Sequence, residues 1–174
     1  MKKTILTLMI TFLMVNVFAG KGNTVKLLSG NTDVLKENAT AVLVMDYSET
    51  TWEEDQDYEL WCGSDFEERV KLSTKAFEKR FNITSQGLKI KEGDDAKYKI
   101  VFKIIDLEQH QNMSMWGRLT MEVTGRIDII DIATGNVVLS LQLTTIQGEA
   151  DYATNDRIIK AFSNVAERLF GKIK

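Results

Sequence analysis

One cysteine, one histidine and no proline in 174 residues narrow the chemistry open to this chain. A lone Cys62 cannot form an internal disulfide, so stability has to come from a packed core. A lone His110 is the only imidazole that could activate Cys62, and a buried thiol beside Trp61 is expected rather than a nucleophile. His110 sits in Asp106-Leu107-Glu108-Gln109-His110-Gln111 with no second histidine or cysteine at ligand spacing, and reads as a solvated loop residue rather than a zinc ligand. The chain has no Gly-rich phosphate loop and no Gly-x-Ser-x-Gly elbow. The lack of proline has no evident physical reason. No cofactor and no metal are expected.

Basic residues are in the minority, 22 against 25 acidic ones. That balance argues against a nucleic-acid partner, which needs clustered Lys and Arg. Two of the lysines, Lys2 and Lys3, lead into the apolar run Ile5, Leu6, Leu8, Met9, Ile10, Phe12, Leu13, Met14 and Val15, followed by Val17-Phe18-Ala19. A basic start, a short apolar stretch and a small-residue exit read as a signal peptide over 1–19, with cleavage after Ala19. The run is short for a spanning helix and polar residues follow it, so the expectation is an exported chain, periplasmic or extracellular, with no stable membrane anchor once the leader is gone. Gly20 to Lys174 then suits one domain.

Residues 20–39 are polar with scattered Val25, Leu27, Leu28, Val34 and Leu35, and read as an N-terminal segment able to clip onto a sheet. A single α+β domain is expected over 40–174. Ala41 to Met45 is apolar on both parities, as an interior strand is. Ser64-Asp65-Phe66-Glu67 predicts a capping box at the start of a helix whose stripe is Phe66, Val70, Phe77 and Phe81, with Ala76 at its margin and a stop at Asn82. Leu72 points away from that stripe, toward the preceding loop or solvent. Gly87 to Ile90 is a short strand before a turn.

Three segments then alternate with period two, the signature of strands with one apolar face. Tyr98, Ile100, Phe102 and Ile104 face one way in the first; Met115, Leu119, Met121, Val123, Ile127 and Ile129 in the second; Val137, Leu139, Leu141 and Leu143 in the third. Gly125 interrupts the second row, which predicts a bulge or a helix side chain pressed on the sheet. Asp131 to Asn136 is a tight hairpin. The last helix carries Ile158, Ile159, Ala161, Phe162, Val165, Ala166, Leu169 and Phe170 on one side and Arg157, Lys160, Asn164, Glu167 and Arg168 on the other. Thr154 or Asn155 is its N-cap and Gly171 its stop. Together these predict a two-layer α+β sandwich: a mixed sheet with a three-stranded antiparallel meander, and two helices packed on one face.

The strand ending in Asp46-Tyr47-Ser48, the helix ending in Arg80-Phe81-Asn82, and Ile130-Asp131-Ile132-Ala133-Thr134-Gly135 before a strand closing at Gly148 resemble a group of uncharacterised secreted proteins of Bacteroides-type bacteria. More distantly, the strand order and the Asp-x-x-Thr-Gly hairpin resemble envelope domains similar to the curli-secretion lipoprotein and the N-terminal domain of TolB. That resemblance implies binding to other envelope components and brings no catalytic residues. The lipidated cysteine of several such proteins has no counterpart here.

The functional candidates are two. The stretch from Glu49 to Gly63 mixes Trp52, Tyr58 and Trp61 with Glu54, Asp55 and Asp57, and rings beside carboxylates can hold a sugar or a peptide. The plainer reading folds those rings back onto the domain. Asp55, Asp57 and Glu59 alternate like the start of a calcium loop, but Leu60 and Phe66 stand where an EF-hand needs Gly and Glu. The polar face of the sheet is the second candidate, with Lys97, Lys99 and Lys103 expected to pair with Glu122 and Asp128, and Trp116 and Val101 as apolar content hinting at a partner. The leading expectation is an exported, non-catalytic binding or accessory domain that holds an envelope protein or glycan. The alternatives are a hydrolase of cell-surface polysaccharide using the loop carboxylates, and a structural subunit that self-associates through a sheet edge or face.

Overall fold

The computed structural model describes residues 23–93, 95–111, 119–147, 151–171 and 173. The leader 1–19, Met115, Trp116 and Gly148 lie outside these residues. In chain order the elements are β1 (Thr24–Gly30), a 3-10 turn (Thr32–Lys36), β2 (Thr40–Asp46), β3 (Thr51–Trp52), β4 (Gln56–Asp57), α1 (Tyr58–Cys62), α2 (Phe66–Thr84), β5 (Lys89–Ile90), β6 (Tyr98–Gln111), β7 (Leu119–Asp131), β8 (Val137–Ile146) and α3 (Thr154–Arg168). The strands form one mixed sheet in the order β1-β8-β7-β6-β2-β5, with β3 on β6 and β4 on β3.

The meander β6-β7-β8 is antiparallel, and β2 lies parallel to both β6 and β5. The helical crossover between β2 and β6 is what permits that parallel pairing. β1 adds to β8 as an antiparallel edge, so the polar N-terminal segment contributes a strand. Both helices cover the same face. Phe102 of β6 meets Phe77 of α2 and Phe162 of α3, with ring centroids 5.4 and 5.9 Å apart. The two-layer α+β sandwich is the observed architecture. No helix among the described residues is long and apolar enough to cross a membrane.

Period-two alternation holds at most of the residues for which it was read; Val137 is an exception, 46 % exposed where the β7-β8 register slips between Ile129 and Ile130. Ile100, Phe102, Ile104, Met121, Val123, Ile127, Ile129, Leu139, Leu141 and Leu143 are all buried. Gly125 meets a different neighbour from the one expected. A side chain there would run into the ring of Phe102 and the carbonyl of Lys103, so it is the adjacent strand, not a helix, that presses on it. The bulge lies on β6, between Ile104 and Asp106, with Ile104 paired to Gly125. Asp131 closes the hairpin as its sequence implied, its Oδ1 accepting from the Thr134 N–H at 2.9 Å while Gly135 takes φ +71°.

Several local expectations are corrected. Ser64 does not cap α2, because it lies inside a 3-10 turn at Gly63–Asp65 that follows α1, and the chain enters α2 with Asp65 at the cap and no side-chain cap bond. Asn82 does not stop α2, which runs on to Thr84. Its amide instead accepts from the Ile90 N–H at 2.7 Å and donates to the Ile90 carbonyl at 2.8 Å, serving β5 as a neighbouring strand would. At α3 the N-cap is Ala153, the helix ends at Arg168, and Gly171 does not take the left-handed conformation. Arg157 faces inward, 3 % exposed, rather than outward. Its guanidinium donates to the carbonyls of Asp151 and Tyr152, to Thr154 Oγ1 and to Gln109 Oε1, which satisfies a charge that burial would otherwise penalise.

Candidate functional site

The stretch after β2 is ordered by its aromatic rings. Trp52 and Tyr58 are buried, and Trp61 stacks on Trp52 at 3.7 Å with 14° between the planes. Tyr58 stacks on both Tyr47 and Trp61, and the Arg69 guanidinium covers Trp61 at 4.5 Å. These rings meet one another, as burial of large flat surfaces favours. Burial pushes the phenols of Tyr47 and Tyr58 well above their usual range. Cys62 is buried beneath them, its sulfur accepting from Arg69 at 3.4 Å.

Three carboxylates of the loop are placed differently. Asp57 caps α1, accepting from the Leu60 N–H at 2.8 Å. Glu54 and Asp55 are exposed at the tip of the β3-β4 hairpin. Glu53 and Glu54 occupy the left-handed region, φ 56° and 70°, which costs a side-chain-bearing residue free energy unless its surroundings hold it there. Two contacts do so: Glu53 Oε1 accepts from the Gln109 N–H at 3.0 Å, and the Glu54 N–H donates to Asp106 Oδ1 at 3.1 Å. Asp106 also accepts from the Thr51 hydroxyl.

This hairpin therefore borders the outer face of the sheet at the far half of β6, where the bulge has changed what that strand presents. Without an extra residue at Ile105, Asp106, Glu108 and His110 would follow Phe102 and Ile104 into the core. With it, Leu107 is buried and the three polar residues point outward. The register then sets Glu108 directly opposite Glu122 of β7, with His110 beside them opposite Thr120. His110 Nε2 stands 3.2 Å from Glu122 Oε2 and 3.5 Å from Glu108 Oε2.

His110 is accordingly a strand residue in a carboxylate cluster, not a solvated loop residue. The sequence carried one signal for this, since Glu108 and His110 are two apart, the spacing that puts both on one face of a strand. Glu122 is remote in the chain and is brought in only by the β6-β7 pairing. The lysines expected to meet Glu122 and Asp128 go elsewhere: Lys103 pairs with Glu49 at 2.5 Å, Lys97 pairs with Glu37, and Asp128 pairs with Arg126 at 2.9 Å. Register is the reason, for Asp128 lies opposite Val101, and Lys103 lies opposite Arg126.

The Glu108 carboxyl is pushed up to about 7, first by burial and then by the charges of Glu122, Asp106 and Glu54. A carboxyl that holds its proton better folded than unfolded stabilises fully below the unfolded value, and that contribution is lost as pH rises through the folded one. In chelator-containing buffer the thermal midpoint should therefore fall from about pH 5 to about pH 8, and Glu108→Gln should flatten that slope and be the more stable form at the higher pH. Equal slopes in the two proteins would contradict the crowding of charge described here.

Fold and site together define a two-layer sandwich with its helices on one side and a polar, carboxylate-rich patch on the other. Among solved structures the chain is similar to the PelC dodecamer from Paraburkholderia phytofirmans, at TM-score 0.47 and 16% identity over 86% of this chain and 99% of that one. It is similar also to a DUF330 protein from Xanthomonas campestris, at TM-score 0.46 and 14% identity over 78% of this chain and 82% of that one. A third is a hypothetical protein from Chlamydia trachomatis, at TM-score 0.39 and 10% identity over 78% and 99%. No family model and no curated protein matches the chain.

Proposed function

We propose that this protein is an exported, non-catalytic binding or accessory domain of the bacterial cell envelope, and that it holds a protein or glycan partner on the outer face of its sheet. The observation that carries this reading is that, among the described residues, α2 and α3 both cover the same face of the sheet, while the other face carries exposed apolar side chains. Leu43 and Met45 of β2 pack against the core, while Val44 between them is 42 % exposed, and Ile105 at the bulge is 41 % exposed. Arg126 and Gln142 are exposed, and Lys103 and Thr124 half-exposed, on the same sheet. Apolar side chains set among hydrogen-bonding ones suit a surface that is wet when free and covered when bound.

The leader-like start supports an exported location, and the aromatic loop supports a structural role for Trp52, Tyr58 and Trp61, whose faces are taken up by one another. Its carboxylates favour binding over hydrolysis, since Asp57 and Glu53 are committed to the backbone. Self-association through β1 is disfavoured despite exposed Leu27 and Leu28, because a bulge after Leu27 and positive φ at Gly30 blunt that edge.

Affinity capture from envelope extract tests the reading. Val44→Asp with Ile105→Asp should abolish capture of the retained partner, and Glu54→Gln with Asp55→Asn should leave it. Capture unaffected by the Val44 and Ile105 changes would overturn the assignment to this face, and a concentration-dependent dimer in sedimentation that the same changes abolish would replace it with self-association.

A further inference from the structure

We propose that Glu108, His110 and Glu122 form a binding site for a divalent transition cation of the zinc type. One ligand atom from each of the three lies within 4.8 Å of the others. The finer distances fit a specific geometry. Two metal bonds of about 2.0–2.1 Å meeting at the tetrahedral angle leave their donor atoms roughly 3.3 Å apart. The two distances from His110 Nε2, 3.2 Å to Glu122 and 3.5 Å to Glu108, bracket that value.

Hydrogen bonding gives a second, independent indication. Glu122 is 8 % exposed, and its Oε2 has no hydrogen-bond partner; nor has His110 Nε2, which it faces. A buried acceptor and a ring nitrogen set 3.2 Å apart without a hydrogen bond leave both atoms to be satisfied, and a cation held between them, with the imidazole neutral, satisfies both. The strands supply rigidity. Glu108 and His110 are fixed two apart on β6, and Glu122 is fixed opposite Glu108 by the ladder, so the donors are held by backbone pairing rather than by loops. Charge points the same way. Two carboxylates placed directly across a strand pair repel, and Asp106 and Glu54 add to the negative field. One imidazole with two carboxylates is a donor set that suits zinc, with a fourth position left for water or a partner's group, and it does not suit calcium, which takes oxygen alone.

The purified protein, stripped with chelator and dialysed, is titrated with zinc chloride alone and separately with cobalt(II) chloride. The expected result is one ion per chain, a visible cobalt spectrum of the low-coordinate type, and a rise in thermal midpoint on adding zinc. His110→Ala and Glu122→Gln should each weaken zinc binding by at least about tenfold and remove the midpoint rise, with the far-UV circular dichroism unchanged. Glu108→Gln is the second carboxylate variant, should either of those fail to fold. Absence of stoichiometric zinc or cobalt binding would overturn the proposal and leave the three groups as an ion bridge. Affinity unchanged in both His110→Ala and Glu122→Gln would overturn it as well, as would uptake of calcium without response to zinc.

Discussion

Phe162→Ala is expected to destabilise the fold by about 3–5 kcal/mol, the range for truncating a fully buried aromatic residue. Phe162 is completely buried at the point where the two layers meet, its ring 5.9 Å from Phe102 on the sheet and 6.4 Å from Tyr47 at the end of β2. These ring neighbours come from separate parts of the fold, so the space it leaves cannot close by a single side-chain rotation, and the cavity remains. For a domain of this size the loss corresponds to a drop in thermal midpoint of roughly 6–20 °C. It is also a large share of the 5–15 kcal/mol that holds a typical domain together. Ile159→Ala, on the half-buried flank of the same helix, is the control and should cost clearly less. Urea unfolding of the two variants at unchanged m-value measures the difference. A cost below about 1 kcal/mol for Phe162→Ala would mean that α3 does not pack as described.

The sequence revealed most where one physical rule acts alone. Alternation along Tyr98 to Ile104, Met121 to Ile129 and Leu139 to Leu143 reflects a single buried face, and the helical stripe of α3 from Ile158 to Leu169 reflects another. The Asp131 hairpin closes by contacts within six residues, so its chemistry was local and readable. Beyond Ile104 the pattern failed, because one additional residue at Ile105 reverses every later side chain of β6. Read without that bulge, Asp106, Glu108 and His110 looked like a polar loop. Arg157 misled for a related reason: its spacing puts it on the flank of α3, and only Gln109 and the turn at Asp151 and Tyr152, placed by the tertiary fold, give it a reason to turn inward. Ser64 carried the readable start signal, whereas the cap that forms is that of Asp57 on a separate short helix, α1, whose Trp61 stacks on Trp52. The aromatic loop and the carboxylate cluster are thus a contrast. The former was visible as composition and proved to be packing, while the latter was hidden because its members come from two strands and a register.

Gly125→Ala should cost roughly 3 kcal/mol, the upper end of what overpacking a well-filled interior costs. A β-carbon at this position would stand 2.7 Å from the Lys103 carbonyl and 2.7 Å from Phe102 Cε2. The two obstacles differ in how far they can yield. The Phe102 ring is wedged against Phe77 and Phe162 and can move only by disturbing the contact between sheet and helices. The Lys103 carbonyl is backbone, fixed by the β6-β7 ladder next to the bulge, so relieving it means shifting the strand itself. A ring laid diagonally over a glycine on the neighbouring strand covers backbone that would otherwise lie bare, which is why the small residue and the large one belong together. Phe102→Leu alone should cost about 1–2 kcal/mol by the same cavity logic, but it removes one of the two obstacles. In that background Gly125→Ala should cost about 1 kcal/mol less than in the parent, and the remainder is the share of the carbonyl. Urea unfolding of the parent, the two single variants and the double variant gives the coupling energy directly. Costs that add to within about 0.5 kcal/mol would show that the ring is not what excludes a side chain at position 125, and would move the whole penalty to the strand backbone at Lys103.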